Sequence, residues 1–354
     1  MKVALPAMIL AAGRGERMRP LTALRAKPAL PVLGVPLVAR ILRHLARQGA
    51  TDFAINAWHA PESIEAACAH AGLAPESVAY FPEPELMGTG GALAAPAERL
   101  AAAPHFLLHN GDTLLAAPVA ALVAAAATAS LGALLVRPGP DTRYNPVRVA
   151  GGRFLGLGMA HHGTETEATY LGVALLARAL LDRVPRDRPS ELFRDLLLPA
   201  IAEGGTLAVV PYGGPWIEFT SPGRYRAHCC SLALAGSAAL GGLVGGDAMV
   251  TSTGTPHGAR FVLAEGASVD PGAILDGGVV LEAGARIGRG ASITGSVLLE
   301  GAEVAGGALL WQTVVMPGTR VPPGAAFRDG VVLADGEDLP GPVRCVPFAD
   351  LEGP

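Results

Sequence analysis

The sequence predicts an α/β domain with a Rossmann-like, mostly parallel sheet, followed by a left-handed parallel β-helix. Strand-like and helix-like segments alternate over residues 1–225. A loop containing Gly13 and Gly15 directly follows the first apolar strand. From about residue 258, aliphatic and small residues recur with a period of six. The alternation predicts a parallel sheet covered by helices, and the six-residue repeat predicts a solenoid of short strands.

The elements of the N-terminal domain, expected over residues 1–225, follow from their apolar patterns. An apolar run over residues 3–10 predicts a buried strand. A helix is predicted to open at Pro36 and to stop at Gly49, because the apolar residues between them have helical spacing: Leu37, Ile41, Leu42 and Leu45. The further predicted strands cover 53–56, 78–81, 106–108 and 131–136, and the helices cover 61–71, 92–102 and 119–127.

The C-terminal region divides into a closing helix and linker over residues 226–257, a β-helix over 258–325 and a cap over 326–354. Aliphatic residues recur at every sixth position, namely Leu263, Val269, Leu275, Leu281, Ile287, Ile293 and Leu299. The register then slips and resumes at Leu309, Val315 and Val321. Such a repeat is typical of a left-handed parallel β-helix, in which each aliphatic side chain points inward.

Composition excludes several classes of protein. The net charge is −4 without a basic patch, which argues against nucleic acid as a partner. The four cysteines show neither metal-ligand spacing nor a disulfide framework, and no signal peptide opens the chain, so we expect a cytoplasmic location. The uncharged stretch 229–246 is rich in Gly, Ala and Ser, and we interpret it as a packed helix and linker that does not span a membrane.

The loop after the first strand has the composition of a phosphate-binding segment. Glycines at 13 and 15 let backbone N–H groups approach a phosphate closely. Arg17 and Lys27 supply positive charge, and Lys27 is the only lysine besides Lys2 among 27 Lys and Arg residues. Asp112 follows the predicted strand 106–108, and ligands in such folds bind at the carboxyl ends of strands. We therefore expect the loop and Asp112 to share one site.

The motif Leu10-Ala11-Ala12-Gly13-x-Gly15-x-Arg17-Met-x-Pro-Leu-Thr, followed by Lys27-Pro28, resembles the nucleotide-binding signature of the sugar-1-phosphate nucleotidyltransferases. The dinucleotide-binding glycine pattern fails because no third glycine has the required spacing, and a P-loop fails because the chain lacks Gly-Lys-Ser/Thr. The predicted β-helix makes the chain most similar to the mannose-1-phosphate guanylyltransferases within that family.

The resemblance implies attack of a sugar-1-phosphate oxygen on the α-phosphorus of an NTP, with release of pyrophosphate. It assigns nucleotide binding to the backbone of residues 10–13 and Gly15, and contacts with the phosphates to Arg17 and Lys27. Asp112 and Glu218 would hold the cofactor Mg²⁺. Glu218 departs from the family, which has Asp there, and Thr220-Ser221 replace a Gly-Thr pair.

The segment from Glu83 to Gly88 and Thr89 would bind the base. A carboxylate at 83 can accept hydrogen bonds from N1–H and the exocyclic amine of guanine, which favours GTP. The preference is modest because uridylyltransferases also carry Glu at this place, and a backbone N–H can read the base. Glu83 could equally be a solvated loop carboxylate.

Asn145 and Gly172 match the regions that shape the sugar pocket of the family. The family's Glu-Lys-Pro motif is missing, and Arg143, Arg148 or Arg153 could replace its lysine. Three alternatives to a mannose-1-phosphate guanylyltransferase therefore stay open. They are an enzyme similar to the N-acetylmuramate-1-phosphate uridylyltransferases, a heptose-1-phosphate guanylyltransferase, and a non-catalytic regulator that binds nucleotide sugars. We expect a homo-oligomer, because an exposed solenoid commonly supports self-association.

Overall fold

The computed structural model describes residues 5–161, 163–236, 243, 251–253, 260–334 and 342–351. By internal packing the chain divides into two units. The N-terminal unit comprises Met1–Arg14 and Val38–Trp216, and the C-terminal unit comprises Gly15–Leu37 and Ile217–Pro354. The structure thus groups the segment that carries Arg17 and Lys27 with the repeat region, whereas the sequence led us to place residues 1–225 together.

In chain order, the strands up to residue 218 are β1 (Leu5–Leu10), β2 (Pro31–Val32), β3 (Val35–Pro36), β4 (Ala50–Ala57), β5 (Val78–Pro82), β6 (His105–Asn110), β7 (Thr113–Leu115), β8 (Gly132–Pro138), β9 (Val147–Ala150), β10 (Arg153–Leu157), β11 (Thr166–Ala177), β12 (Leu207–Pro211) and β13 (Trp216–Glu218). The helices of the same region are α1 (Leu37–Arg47), α2 (Pro61–Ala69), α3 (Gly88–Gly91), α4 (Ala97–Leu100), α5 (Val119–Ala126) and α6 (Leu198–Ala202). Short 3₁₀ turns lie at Glu16–Met18, Lys27–Ala29, Pro75–Ser77 and Arg178–Arg183, and a π-helical turn lies at Leu192–Leu197.

The N-terminal unit is built on a nine-stranded sheet with the order β5-β4-β1-β6-β11-β8-β12-β10-β9. The neighbouring strands from β5 to β6 are parallel, as are β8 and β12. β11 lies antiparallel between β6 and β8, and β10 is antiparallel to both of its neighbours. The sheet is therefore mixed, and parallel pairing, predicted for most of the sheet, is found only among β5, β4, β1 and β6 and between β8 and β12.

Apolar strands and a proline explain the local structure around the sheet. β1 has buried neighbours on both sides and its residues Ala7, Met8 and Ile9 are fully buried, as the apolar run predicts. The single helix predicted over 92–102 is wrong, because within that range the structure has only the short helix α4, and α3 ends before it at Gly91. Pro96 immediately precedes α4, and a proline inside a helix removes one hydrogen bond and clashes with the preceding turn.

The later strands are β14 (Thr251–Thr253), β15 (Arg260–Leu263), β16 (Ser268–Val269), β17 (Ile274–Asp276), β18 (Val279–Leu281), β19 (Arg286–Ile287), β20 (Ser292–Thr294), β21 (Val297–Leu298), β22 (Glu303–Val304), β23 (Leu309–Trp311), β24 (Val314–Val315), β25 (Arg320–Val321), β26 (Ala326–Arg328), β27 (Gly330–Ala334) and β28 (Val343–Pro347). They are accompanied by the helices α7 (Pro222–Ala235) and α8 (Phe348–Leu351).

Strands β15 to β27 enter three stacks in strict rotation, and within each stack the neighbours are parallel. This rotation fits a β-helix. The stacks continue past residue 325, where we expected the cap to begin, because β26 pairs with β23 and β27 pairs with β24. β28 then runs antiparallel to β27 and ends the stack that contains β15, β18, β21, β24 and β27.

After the slip, the inward positions of the repeat agree with the prediction at Val315 and Val321 but not at Leu309. Phe261 pairs with Val279 but Val280 pairs with Val297, so the later coil is one residue shorter. Leu298 and Leu310 belong to the core of the stacks, whereas the predicted Leu309 is 52% exposed. A shift of one residue moves a side chain to the opposite face of a strand, which explains why Leu309 was assigned wrongly. Leu299 is 1% exposed, although it is not among the residues of the core of the stacks.

Among the described helices, none is both long enough and apolar enough to cross a lipid bilayer. α7 contains the first part of the uncharged stretch 229–246 and ends at Ala235. Most of the remainder of that stretch lies outside the described residues. The four cysteines are free thiols.

Candidate functional site

The carboxyl end of β1 presents the start of the glycine-rich segment. Ala11 and Ala12 are buried, and Gly13 is exposed. The Ala11 N–H donates to Asn56 Oδ1 over 2.8 Å. A Cβ atom at Gly13 would meet no described atom within 4 Å. Packing within the protein therefore does not explain why residue 13 is glycine. A ligand that approaches the backbone closely would explain it, because it would leave no room for a side chain.

Asn56 connects β1 to the candidate base-binding residue. Asn56 lies in β4 and is 4% exposed, and its Nδ2 donates to Glu83 Oε1 over 2.8 Å. The second carboxylate oxygen of Glu83 accepts from the Met87 N–H over 3.1 Å. Each carboxylate oxygen retains a second lone pair, so these bonds position Glu83 without excluding a ligand. No role for Asn56 was predicted from the sequence, although a polar residue at the end of an apolar strand was a usable signal.

Glu83 and Asn56 line a cavity of about 380 Å³ in the N-terminal unit, together with Phe81, Met87 and Ala92. Cavities of roughly 300 Å³ and above accommodate small ligands. Besides Glu83 and Asn56, the lining contains the charged residues Glu85, Arg186 and Asp187. Its remaining walls are apolar, so a flat base could stack there while polar groups contact its edge.

Gly88 and Thr89 shape the turn that follows Glu83. Gly88 has a φ of +73°, and a Cβ there would lie 2.6 Å from the carbonyl oxygen of Ser190. The Thr89 hydroxyl donates to Glu191 Oε2 over 2.7 Å and accepts from the Leu192 N–H over 2.9 Å. In this structure both residues hold the turn against the segment 190–192, and the Thr89 side chain bonds to protein groups.

The turn at Asp112 is fixed against the end of β1. The Gly111 N–H donates to the carbonyl oxygen of Leu10 over 2.9 Å. Asp112, the next residue, is half-buried and accepts from the Thr113 hydroxyl over 3.1 Å. The structure therefore places this turn next to Leu10, where the glycine-rich segment begins.

Gly172 lies beside the same turn, on the antiparallel strand β11. The register of β11 against β8 shifts between Tyr170 and Ala174, and Gly172 has a φ of +76° in this irregular stretch. A Cβ at Gly172 would lie 2.8 Å from Asn110 Nδ2. Strand irregularities of this kind are common next to active sites. The structure thus places Gly172 against Asn110, two residues before Asp112.

A buried histidine supports this turn from inside the sheet. His109 is 1% exposed, and its Nδ1 lies 2.7 Å from the carbonyl oxygen of Asn110. The pKa of His109 is lowered to about 4, mainly by burial and also by the nearby His44, against the effects of the Asn110 carbonyl and of Asp112. The imidazole is therefore neutral near pH 7 and serves packing.

The predicted sugar side contains an aromatic and cationic cluster within the N-terminal unit. The rings of Tyr144 and Trp216 lie 5.8 Å apart, and the Arg137 guanidinium lies 5.3 Å from the Trp216 ring centroid. Arg137 also donates to the carbonyl oxygen of Gly214 over 2.8 Å. Asn145 is exposed and follows Tyr144 directly.

Arg137 was missed by the sequence analysis, which considered three other arginines. Arg143 pairs with Asp141, Arg148 pairs with Glu165 over 3.5 Å, and Arg153 donates to the carbonyl oxygen of Thr128. Among the described residues, no carboxylate pairs with Arg137. Arg143 and Arg148 thus have acidic partners, whereas Arg137 and Arg153 each donate to a backbone carbonyl. A cation without an acidic partner is better suited to a phosphate, and Arg137 differs from Arg153 in lying beside Trp216 on the predicted sugar side. No sequence motif marks it, because its position depends on the pairing of Arg137 with Thr169 in β11.

Arg17 and Lys27 lie in the C-terminal unit, each in a single 3₁₀ turn. Gly15 has a φ of +66° and begins the turn Glu16–Met18, and its carbonyl oxygen accepts from the Thr22 hydroxyl over 2.8 Å. Arg17 is exposed and Lys27 is half-buried. A positive φ is accessible to glycine at little cost, which explains the residue at position 15.

Glu218 also lies in the C-terminal unit, at the end of β13, and is half-buried. The next residue, Phe219, is 1% exposed and packs against Tyr225 with a centroid distance of 5.9 Å. Ser221 caps α7, because its Oγ accepts from the Arg224 N–H. The departure from the family at 220–221 therefore has a local structural role, since serine is a favoured N-cap.

Comparison with known proteins gives this geometry a context. Residues 6–145 match the family model described as Nucleotidyl transferase. The chain is 43% identical over 111 residues to the N-acetylmuramate alpha-1-phosphate uridylyltransferase of Neisseria meningitidis serogroup B, a match that covers 31% of this chain and 48% of that relative. The matched part thus spans about half of that protein.

Two further relatives extend the comparison. The chain is 28% identical over 277 residues to the mannose-1-phosphate guanylyltransferase of Mycobacterium tuberculosis, covering 75% of this chain and 77% of that protein. The crystal structure of HddC from Yersinia pseudotuberculosis complexed with GMP-PN superposes with a TM-score of 0.53 at 20% identity, covering 64% of this chain and 98% of that one. At 20% identity, the likeness to HddC concerns the fold alone.

These findings confirm the resemblance derived from the sequence. The matched residues 6–145 contain β1, the Asp112 turn, Glu83 and the segment with Arg17 and Lys27. Residues 6–145 therefore match the nucleotidyl transferase family, and the named relatives of the chain are sugar-1-phosphate nucleotidyltransferases.

Proposed function

We propose that this protein transfers a nucleotidyl group from an NTP to a sugar 1-phosphate, with GTP and mannose 1-phosphate as the favoured pair. The main support is the hydrogen bond from Gly111 N–H to the Leu10 carbonyl, which fixes Asp112 beside the start of the phosphate-binding segment. The relatives named above support the reaction class.

In the proposed reaction, a phosphate oxygen of the sugar 1-phosphate attacks the α-phosphorus of the NTP. The bond between the α-phosphorus and its bridging oxygen breaks, and pyrophosphate leaves with the electron pair. No protein nucleophile is required, so catalysis depends on positioning and on charge neutralisation. Arg17 and Lys27 would bind the phosphate oxygens, and the backbone N–H groups of residues 11–13 and Gly15 would line the path of the triphosphate.

Asp112 and Glu218 are proposed as the Mg²⁺ ligands. The described residues contain no group of three or more His, Cys, Asp or Glu side chains arranged for a metal ion. Mg²⁺ fits this donor set, because it is usually held by one or two carboxylates together with substrate phosphates and water. When bound, the ion would neutralise phosphate charge. Glu218 is supported by its motif, and Asp112 by its place at the end of β6.

Base recognition is proposed for Glu83 in the cavity of about 380 Å³. A carboxylate held by Asn56 and Met87 presents its remaining lone pairs to adjacent donors, which guanine offers and uracil does not. On the sugar side we propose Asn145, Gly172 and Arg137, with Arg137 as the cation that replaces the missing lysine.

A uridylyltransferase acting on N-acetylmuramate 1-phosphate is the second candidate. It is favoured by the 43% identity over 111 residues, which exceeds the identity to the guanylyltransferase. We further propose that the stacks form a left-handed β-helix, that the protein is a homo-oligomer, and that it acts in the cytoplasm, where NTPs and reduced thiols coexist.

Pyrophosphate release across four NTPs and a panel of sugar 1-phosphates tests these assignments. The preferred pair identifies the substrate, and a preference for UTP with N-acetylmuramate 1-phosphate selects the second candidate. If no pair turns over while GDP-mannose still binds, the protein is a regulatory paralogue and the proposed activity is wrong. Lys27→Ala should abolish turnover without unfolding the protein.

A further inference from the structure

The segment Gly15–Leu37 packs with the repeat region inside one unit. This segment carries Arg17 and Lys27, the cations to which the proposed function assigns the phosphates. Hydrogen bonds connect it to the rest of the C-terminal unit on both sides of Lys27. On the segment they involve Arg25, Pro31 and Gly34, and their partners are Glu300, Tyr225 and Glu282 respectively.

The first anchor precedes Lys27 by two residues. Arg25 Nη1 donates to Glu300 Oε1 over 2.5 Å, and the two side chains are 22% and 33% exposed. The intervening Ala26 is fully buried and precedes the 3₁₀ turn Lys27–Ala29. The ion pair therefore fixes the chain directly before the turn from which the Lys27 side chain emerges.

Two anchors follow Lys27. The fully buried Tyr225 donates its hydroxyl to the carbonyl oxygen of Pro31 over 2.5 Å. The Gly34 N–H donates to Glu282 Oε2 over 2.9 Å, and Glu282 is 1% exposed. A carboxylate buried to this degree is costly unless it accepts hydrogen bonds, so its bond to Gly34 ties the β2–β3 turn to the stack.

The two glutamates come from successive coils of the repeat. Glu282 follows β18, and Glu300 lies two residues after β21, which is the parallel neighbour of β18 in the same stack. Burial raises the pKa of Tyr225 well above its usual value, the charges of Glu282 and Glu300 raise it further, and Arg25 lowers it. The geometric link is that Glu300, Tyr225 and Glu282 all bond to one stretch of the segment, at Arg25, Pro31 and Gly34.

We propose that Glu282 and Glu300 are positioning residues that hold the Lys27 turn in place for nucleotidyl transfer. The repeat region would thereby act on the phosphate-binding segment in addition to any role in assembly. This inference rests on the proposed function, because it assigns the consequence to turnover. Small displacements of a positioned group reduce rates strongly, on the order of 100-fold for a shift near 1 Å.

The test compares Glu300→Ala with Glu303→Ala in the full chain. Glu303 also pairs with an arginine, Arg320, over 3.2 Å, and it lies three residues away in another stack. Both variants remove one carboxylate and one partly exposed ion pair. We expect Glu300→Ala to lower kcat by about 10-fold or more with little change in Tm, and Glu303→Ala to match the wild type. Equal kcat in the two variants would overturn the proposal.

A second test exchanges the charges of Arg25 and Glu300 and asks whether the double variant recovers kcat. Arg25→Glu and Glu300→Arg should each lower kcat, and the double variant Arg25→Glu/Glu300→Arg should recover most of it, because the pair is restored with opposite polarity. A double variant that is as slow as the slower single variant contradicts a positioning role for this pair. Glu282→Gln, which keeps an acceptor for Gly34, should retain more activity than Glu282→Leu.

Amide hydrogen exchange separates this inference from the proposed function. In Glu300→Ala, exchange over residues 15–37 should increase relative to both the wild type and Glu303→Ala. If the wild type transfers no nucleotide from any NTP, the proposed function fails, and exchange then decides whether Glu300 anchors the segment. Unchanged exchange over 15–37 in Glu300→Ala overturns the anchoring in either case.

Discussion

Asn56 donates its side-chain amide to Glu83 Oε1 over 2.8 Å, and the same amide group accepts the Ala11 N–H through Oδ1. Two neighbouring strands of the sheet, β1 and β4, and the loop after β5 are therefore joined by one buried side chain. The candidate base reader and the start of the phosphate-binding segment cannot move independently.

Glu83→Gln tests whether Glu83 reads the base or only supports Asn56. The glutamine oxygen can still accept from Asn56, but its NH₂ then faces the Met87 N–H, which costs roughly 1–3 kcal/mol. If Glu83 reads guanine, kcat/KM for GTP should fall about 10-fold relative to that for UTP. Kinetics with both nucleotides measure this ratio. Equal losses for GTP and UTP would show that Glu83 only supports Asn56.

Gly172→Ala should impair both stability and turnover. The φ of +76° disfavours alanine by roughly 1–3 kcal/mol, and the new methyl would also displace Asn110 next to the Asp112 turn. Gly152→Ala is the matched control, because Gly152 has a φ of +74° and an open environment. Both variants should lower Tm, but only Gly172→Ala should lower kcat. Similar kcat values in the two variants would remove Gly172 from the site.

Asp112→Asn should abolish turnover while the fold persists. Asparagine keeps an acceptor for the Thr113 hydroxyl but loses the charge that the proposed Mg²⁺ site requires. Asp52→Asn, which removes a partly buried carboxylate from an ion pair with Arg99, serves as the control. Pyrophosphate release and Tm are measured for both. Wild-type turnover in Asp112→Asn, or activity that survives chelation of divalent ions, would refute the metal assignment.

Arg137→Gln should raise the KM for the sugar 1-phosphate with little effect on the KM for the NTP. A charged hydrogen bond to phosphate contributes about 1.5–3 kcal/mol, which corresponds to a KM increase of roughly 10-fold or more. Arg153→Gln removes a guanidinium that donates to the Thr128 carbonyl and should leave both constants unchanged. Equal KM values for Arg137→Gln and the wild type would exclude Arg137 as the sugar-phosphate cation.

Because His109 is buried and its pKa is lowered, we expect the stability of the protein to depend on pH. Burial lowers its pKa to about 4 in the folded protein, whereas an unfolded histidine titrates near 6.5. Between these two pKa values, His109 takes up a proton in the unfolded chain but not in the folded protein. Protonation therefore favours unfolding, so the free energy of unfolding is highest above pH ~6.5 and decreases as the pH falls toward ~4. The contribution is at most about 3 kcal/mol.

His109→Leu should therefore flatten the dependence of Tm on pH in this window. Other groups titrate in both proteins, so the informative quantity is the difference between the two curves. Parallel curves for variant and wild type between pH ~6.5 and ~4 would mean that His109 does not carry this linkage.

The sequence by itself determined the resemblance to the nucleotidyltransferases, the strand-and-helix alternation and the repeat. These depend on local patterns: the spacing of Gly13, Gly15, Arg17 and Lys27 is contiguous in the chain, and the six-residue period needs no tertiary information. The direction of β11 could not be predicted in this way, because strand order and orientation depend on which edges pair after the chain folds. The same limit applies to the inward register after residue 294, where one missing residue exchanges the two faces.

Only the tertiary structure decided which side chains support the site. Asn56 meets Ala11 and Glu83 because parallel pairing brings the ends of β1, β4 and β5 to one edge of the sheet. Glu282 and Glu300 reach the Lys27 segment although they lie more than 200 residues away in the chain. The physical reason is that hydrogen bonds and ion pairs act over a few ångströms, and chain folding sets which distant residues come within that range.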